Sequence, residues 1–249
     1  MRQAFFHFLL SLILVAFPVQ AIVPATCTQA IVGITEGWNS SHVTLSLLEK
    51  QADGRWARVL GPIPGRLGRN GCVWGLGLHN NPRRAVIKQE GDGRSPAGIF
   101  ALGGLWVTNN KPVLHHKNIP LVKVGPRDLW VSDTTMPHLY NRYVRLNHPA
   151  RTTWELKEQM RQTDYPHSIK LLICHNTWET AGRPVNGAGS SIFFHIWRRD
   201  GAAPTAGCTS MNEAQLRAII ARLHPARHPV YILLPRQEYA KLRSSWRLP

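Results

Sequence analysis

Ser191–Trp197 has the sequence SIFFHIW, a short apolar run bounded by polar and turn residues. Ile169–Cys174 and Val230–Leu234 have the same character. Buried β-strands produce such runs, because side chains on both faces of the strand pack against a core. Three segments nearer the amino terminus alternate or run apolar in strand fashion: Ala30–Ile34, His42–Leu48 and Gly54–Leu60. A Gly/Pro-rich loop, Gly61–Gly65, is predicted to follow them.

Two helices are predicted beside the strands. Trp154–Thr163 places Trp154, Leu156 and Met160 at helical offsets, and Asn212–Leu223 has four apolar residues on one face. The basic tail Arg236–Pro249 is predicted to form a last surface helix. The expected fold class is therefore mainly β with peripheral helices, an α+β protein.

The composition indicates a globular, strongly basic chain. Its 249 residues are 43% hydrophobic, and 30 Lys and Arg stand against 14 Asp and Glu, for a formal net charge of +16. Such a charge predicts an anionic partner. The sequence lacks zinc-finger spacing, an RNA-binding sheet motif and a helix-turn-helix pattern, so nucleic acid is not expected. A bacterial wall polymer or a lipid surface remains as the anionic partner.

The amino terminus resembles a secretory signal peptide. Met1–Ala21 has one cation, Arg2, then an apolar run from Ala4 to Phe17, and ends in small residues at Val19 and Ala21. The run is short for a membrane span, so an uncleaved anchor is the second interpretation. Nothing later in the sequence approaches spanning length. We therefore expect an extracytoplasmic protein, in the periplasm or secreted, without a transmembrane segment after cleavage.

A cysteine and a histidine near the carboxyl terminus suggest nucleophilic catalysis. Cys208 precedes the predicted second helix, where unpaired backbone N–H groups would favour a thiolate and bind an oxyanion. Gly207 allows a close backbone approach and a positive φ. His195 ends an apolar strand upstream and is a candidate general base. One histidine and one cysteine are a weak signal alone, and a structural disulfide is the competing interpretation.

Three segments together resemble the L,D-transpeptidase (YkuD-type) catalytic domain. Ile192–Trp197 and Pro204–Met211 resemble its His…Gly-Cys signature, and Glu90–Phe100 resembles its G-x-[ST]-P-x-G-x-F segment. The resemblance spans about Gly61 to Leu234. It implies a β-sandwich or barrel fold and cysteine acyl transfer on peptidoglycan stem peptides, without a cofactor or a metal. Hydrolysis of the same substrates by an L,D-carboxypeptidase or endopeptidase is the alternative outcome.

The resemblance implies Cys208, His195 and Gly207 as the catalytic group. Substrate contacts are expected from six neighbouring residues: Thr205, Thr209, Ser210, Trp197, Arg198 and Asn176. Commoner members read Ser-His-Gly-Cys with a following arginine, whereas this chain has Ala206 at the second motif position and lacks that arginine. Arg198 is a candidate substitute for binding a substrate carboxylate, although a solvent-facing charge is the simpler interpretation.

Other sequence features separate the remaining hypotheses. A serine penicillin-binding enzyme is excluded because Ser-x-x-Lys and Lys-Thr-Gly do not occur, and a zinc peptidase lacks His-Glu-x-x-His. His115 and His116 are expected in a surface loop, and His175 is expected to be structural. A non-catalytic, cationic wall-binding module is the alternative of another class. Cys27 and Cys72 are the preferred disulfide partners among three possible complete pairings.

The predicted organisation has four parts. The leader covers residues 1–21, and N-terminal strands over 22–60 pack on the catalytic domain. The catalytic domain covers 61–235, and the basic tail covers 236–249.

Overall fold

The structure, a computed structural model, describes residues 23–108, 111–160 and 163–249. The predicted leader Met1–Ala21 lies outside this range. The described strands are β1 (Gln29–Thr35), β2 (His42–Lys50), β3 (Trp56–Arg66), β4 (Cys72–Trp74), β5 (Ser95–Val107), β6 (Leu121–Lys123), β7 (Asp128–Trp130), β8 (Tyr143–Arg145), β9 (Ile169–Ile173), β10 (Phe193–Ile196), β11 (Thr209–Met211) and β12 (Val230–Pro235). The α-helices are α1 (Thr153–Glu158), α2 (Trp178–Ala181), α3 (Glu213–Arg222) and α4 (Arg236–Leu242), and short 3₁₀ turns cover Tyr165–His167, Arg199–Gly201 and Pro225–Arg227.

Eight strands close into a barrel in the order β12-β1-β2-β3-β11-β10-β9-β5. The closing pair is antiparallel, with Ile232 opposite Ile99 on β12 and β5. β4 and β6 add to β5 outside the ring, while β7 and β8 form a separate two-stranded sheet. The predicted mainly β class is therefore confirmed. Closure leaves few unpaired strand edges, which explains how short strands form a stable sheet.

The barrel interior is packed with large apolar side chains. Phe100, Phe194, Tyr231 and Leu45 are fully buried there. One face of α3 joins the same cluster through Leu216, Ile219 and Ile220. Because β10 contributes Phe194 and Ile196 to the interior, the alternating residues Phe193 and His195 face outward.

The prediction of a loop over Gly61–Gly65 is wrong, because these residues belong to β3. The pairing of β2 with β3 shifts register between the pairs Leu45–Ile63 and Leu47–Leu60, which marks a β-bulge. Gly61 lies in that bulge with φ +109°. A bulge accommodates both a positive φ and a proline without a ladder N–H, so composition alone suggested a loop.

The first predicted helix also differs from α1. The helix stops at Glu158, and its buried residues are Glu155 and Glu158, whereas Leu156 is 55% exposed. Glu155 completes a capping box with Thr152. The buried face of α1 is therefore anchored by carboxylates, which an apolar periodicity cannot reveal.

The predicted domain boundaries do not follow the barrel. The boundary at residues 60 and 61 falls inside β3, and β1–β3 are barrel strands rather than an added layer. The tail forms α4 as expected, but Trp246 and Leu248 behind it are buried against Val23. Across the described ranges, none of the helices combines the length and apolarity needed to cross a membrane.

Candidate functional site

Parallel pairing of β10 with β11 brings His195 and Cys208 to one outer face of the barrel. His195 lies opposite Ser210 in the register, and Cys208 precedes Ser210 by two residues, so their side chains share a face. The predicted position of Cys208 at a helix start is wrong. β11 follows Cys208, and α3 begins only at Glu213 with Asn212 as its N-cap. The terminus of α3 therefore cannot supply the expected positive potential.

The Cys208 thiol lies against the start of β10. Its Sγ is 3.4 Å from the backbone N of Phe193 and 3.4 Å from the carbonyl oxygen of Ser191. Burial raises the pKa of Cys208, while the Phe193 N–H and the positive charges of Lys88 and Lys170 lower it. Deprotonation of this thiol therefore depends on nearby donors and cations.

His195 is buried in its neutral form, and one ring nitrogen keeps a lone pair. Its Nδ1 lies 2.7 Å from the carbonyl oxygen of Ile196, so Nδ1–H donates and Nε2 keeps a lone pair. Burial, followed by repulsion from His167, lowers the pKa of His195 to about 3. The imidazole is consequently unprotonated near neutral pH, and the same burial makes it a weaker base than an exposed histidine.

His195 contacts the ring of His167, which is bound in turn to Asp164. The rings of His167 and His195 have centroids 4.6 Å apart, and His167 Nδ1 donates to Asp164 Oδ2 at 2.7 Å. Arg198 pairs with the same carboxylate oxygen. The expected role of Arg198 as a carboxylate anchor is therefore not supported, because its guanidinium already binds a carboxylate of this protein.

Cys208 opens onto a pocket of about 210 Å³. Its lining combines aromatic, cationic and acidic side chains: Trp130, Ser132, Lys157, Glu158, Gln159, Met160, His167, Lys170, Ser191, Phe193 and Cys208. His195 is absent from this lining and is only 3% exposed. The pocket can thus admit a ligand to the thiol while the imidazole stays shielded from water.

The turn before Cys208 is held by hydroxyl groups. Thr205 Oγ1 donates to the Cys208 carbonyl oxygen at 2.7 Å and accepts from the Gly207 N–H at 3.1 Å. The Thr205 hydroxyl therefore holds the turn together, and the expected substrate contact of Thr205 stays a prediction. Gly207 does not have the positive φ that we expected. A side chain there would nevertheless meet the Arg94 carbonyl oxygen at 3.1 Å, so the close approach is real.

Two further predicted substrate residues point elsewhere. Thr209 is buried, and its hydroxyl is 3.1 Å from that of Tyr231 in the barrel core. Asn176 is fully buried, and its amide bonds the backbone of Val185 and Gly189. Neither side chain lines the pocket, so the structure does not support either residue as a substrate contact.

Ser210 and Trp197 remain candidates. Ser210 Oγ is buried beside His195 and has no hydrogen-bond partner among the described residues. Trp197 is half-buried and lines a second, wider pocket of about 690 Å³ with Tyr165 and Arg198. An aromatic ring there could support a sugar or peptide outside the first pocket.

The remaining sequence expectations have mixed outcomes. Cys27 and Cys72 are free buried thiols in different apolar clusters, so the preferred disulfide is not formed. His175 accepts from the Leu76 N–H at 3.1 Å and donates to the Ala188 carbonyl at 2.9 Å, which confirms a structural role. His115 and His116 lie in a loop as expected. Within the described ranges, no group of three metal-ligating side chains was found.

Lys170 and the pair Asp164–His167 were missed by sequence reasoning. Lys170 stands opposite His195 in the antiparallel pairing of β9 with β10, so it faces the pocket. Its signal was visible, since it is a lone cation inside the apolar run Ile169–Cys174. His167 and Asp164 lie in a loop and turn without any periodicity, so the sequence carries no comparable signal for them.

Comparisons with known proteins show no family for this chain. No family model matches it, and no curated protein matches it. A solved structure, that of Bdellovibrio bacteriovorus Bd1075, is similar at 12% identity with a TM-score of 0.39. The match covers 89% of this chain and 55% of that chain, so the chain spans about half the length of that protein. A likeness at this level carries no argument about fold or function.

Proposed function

We propose that this protein is an exported cysteine acyltransferase of the L,D-transpeptidase type, acting on peptidoglycan stem peptides. One arrangement carries the proposal: Cys208 opens onto a pocket and shares a sheet face with His195, whose Nδ1 is bound to the Ile196 carbonyl. The His…Gly-Cys and Glu90–Phe100 motifs support the reaction class. The net charge of +16 supports an anionic wall as the surrounding polymer.

The reaction follows from the two side chains. The Cys208 thiolate attacks a stem-peptide carbonyl, and the thiol proton passes to the unprotonated nitrogen of His195. Collapse of the tetrahedral intermediate expels the terminal D-amino acid, whose amine takes the proton from His195. The Gly207 N–H is already bonded to Thr205, so other backbone donors near Cys208 must stabilise the oxyanion.

The acyl-enzyme then transfers its acyl group to an amine or to water. An amine of a second stem peptide gives a cross-link, whereas water gives L,D-carboxypeptidase or endopeptidase activity. Hydrolysis is the second candidate function. The small volume of the Cys208 pocket, about 210 Å³, supports it, because water needs less room on the acceptor side than a second stem peptide does.

Intact mass after incubation with a carbapenem tests the nucleophile. We expect one adduct on the wild-type protein, none on Cys208→Ala, and an unchanged adduct on the buried-cysteine control Cys72→Ala. Tetrapeptide muropeptides then separate cross-linked dimers from trimmed tripeptides by chromatography. Absence of both an adduct and a muropeptide product, with binding to isolated wall retained, would establish the non-catalytic wall-binding module instead.

A further inference from the structure

Lys170 is a buried amine whose pKa burial lowers to about 8, so it is mostly a cation near neutral pH. Only 4% of it is exposed, and within the described part of the chain its Nζ has no hydrogen bond and no ion pair. Burying an ammonium group is costly unless an anion compensates for the lost hydration. A lysine in the apolar run of β9 therefore requires an explanation beyond packing.

The carboxylates nearest to Lys170 are already engaged. Asp164 binds His167 and Arg198, and Asp128 accepts from the Gly125 N–H at 2.6 Å and from the Tyr143 hydroxyl at 2.5 Å. Glu158 also lines the pocket, but its Oε2 accepts from the Ser132 N–H and hydroxyl, and its Oε1 lies 3.9 Å from Lys157 Nζ. The other group at this pocket that can become an anion, and that attracts the Lys170 charge, is the Cys208 thiol.

We propose that Lys170 is a positioning residue for the nucleophile: its ammonium is the counter-cation of the Cys208 thiolate. The S–H bond breaks, the electron pair stays on Sγ, the proton leaves to His195 or to a solvent base, and Lys170 keeps its own protons. The lysine thus performs the electrostatic role that the sequence suggested for a helix terminus. This role concerns the thiol itself and does not depend on which substrate is acylated.

The other charged groups around the pocket do not match this role. Lys88 Nζ is bound to Asp92 Oδ1 at 2.7 Å, and Lys157 has a 70% exposed side chain at 3.9 Å from Glu158. Burial lowers the pKa values of His195 and His167, which favours their neutral forms. Among the described residues, the charged or titratable groups that line the pocket or act on Cys208, Lys170 or His195 are Lys88, Asp128, Lys157, Glu158, Asp164, His167, His195 and Arg198.

The pH dependence of thiol alkylation tests this role. Iodoacetamide forms a Sγ–carbon bond and releases iodide, and its rate follows the thiolate fraction. The rate at Cys208 is measured by intact mass from about pH 5 to pH 10, and the slow reaction of the Cys208→Ala protein is subtracted. Lys170→Met should move the inflection upward by about one pH unit, which lowers the rate near neutral pH about tenfold.

Two variants are the controls: one keeps the charge at position 170, and the other removes the exposed charge of Lys157 from the pocket. Lys170→Arg and Lys157→Met should keep the wild-type inflection. Lys170→Gln repeats the charge removal if the methionine variant fails to fold, as judged by circular dichroism. Superimposable wild-type and Lys170→Met or Lys170→Gln profiles would overturn the role, and so would an equal shift in Lys157→Met. An upward shift in a protein that never reacts with muropeptides would support Lys170 while rejecting the proposed substrate.

Discussion

Ser95 Oγ donates a hydrogen bond to the Cys208 carbonyl oxygen at 3.2 Å and accepts one from the Gly68 N–H at 2.9 Å. The two residues are 113 positions apart in the chain. Ser95 begins β5, so the motif Glu90–Phe100 is tied directly to the turn that carries the candidate nucleophile. That turn depends on β5 as well as on β11.

Ser95→Ala should therefore destabilise the protein and slow the reactions of Cys208. The variant leaves the buried Gly68 N–H without its partner, which costs about 1–3 kcal/mol. Urea denaturation measures the loss, and iodoacetamide alkylation measures the reactivity. Ser245→Ala removes an exposed hydroxyl and should change the unfolding free energy by less than about 0.5 kcal/mol. Equal stabilities of the two variants would contradict the role of Ser95.

His195→Gln should slow carbapenem adduct formation by a factor of about 10²–10⁴, because the base that accepts the thiol proton is lost. The initial rate of the mass increase provides the measurement. His115→Gln is the matched control, because His115 lies in a loop that does not line the Cys208 pocket, and this variant should react at the wild-type rate. A His195→Gln rate within about twofold of wild type would exclude His195 as the base.

Acid should destabilise the fold below about pH 6.5, the usual histidine pKa. Burial lowers the pKa of His79 to about 4 and those of His175 and His195 to about 3. Between these values and the unfolded pKa, the unfolded chain binds protons that the folded protein does not. The stability contributed by these neutral histidines is complete above that range and is lost as pH falls through it.

The loss approaches about 1.4 kcal/mol per pH unit for each such histidine. Urea midpoints from about pH 7 to pH 4 measure it. His42→Gln replaces an exposed histidine and should leave the slope unchanged. A flat dependence over this range would show that the buried histidines take up protons without unfolding.

Gly98→Ala should prevent folding or cost more than about 4 kcal/mol. Gly98 has φ +134°, and a Cβ there would lie 1.8 Å from a ring carbon of His79. The matched control is Gly37→Ala, since a Cβ at Gly37 meets nothing within 4 Å. Soluble yield and thermal melting compare the two, and a Gly98→Ala protein that melts with the wild type would refute the packing described here.

Apolar patterning predicted two kinds of element: strands that are buried on both faces, and a helix with one regular apolar face. β9, β10 and β12 are fully buried strands, and α3 has a regular apolar face, so local sequence was sufficient. β5 was missed, although it is 13 residues long, because glycines interrupt its apolar pattern. Its strand conformation depends on pairing with β12, β9 and β4, which no local window contains.

Only those residues of the candidate site that belong to a sequence motif could be predicted. Cys208 and His195 stand in recognisable segments, but the nearness of Lys170 follows from the register of β9 against β10. Likewise, Thr209 and Ser210 are sequence neighbours that face opposite sides of β11. The Thr209 hydroxyl lies in the barrel core, whereas Ser210 lies beside His195, and closeness to Cys208 in the sequence does not distinguish the two positions.

β1 and β12 lie side by side and parallel, with six residue pairs from Ala30–Val230 to Thr35–Pro235. A pull on the amino end of β1 and the carboxyl end of β12 therefore runs in opposite directions along one axis. Every hydrogen bond of the ladder then shares the load, whereas an antiparallel terminal pair would unzip one bond at a time. After α4 has detached, the force acts in shear along the β1–β12 pair. Shear is the geometry in which a sheet best resists mechanical tension.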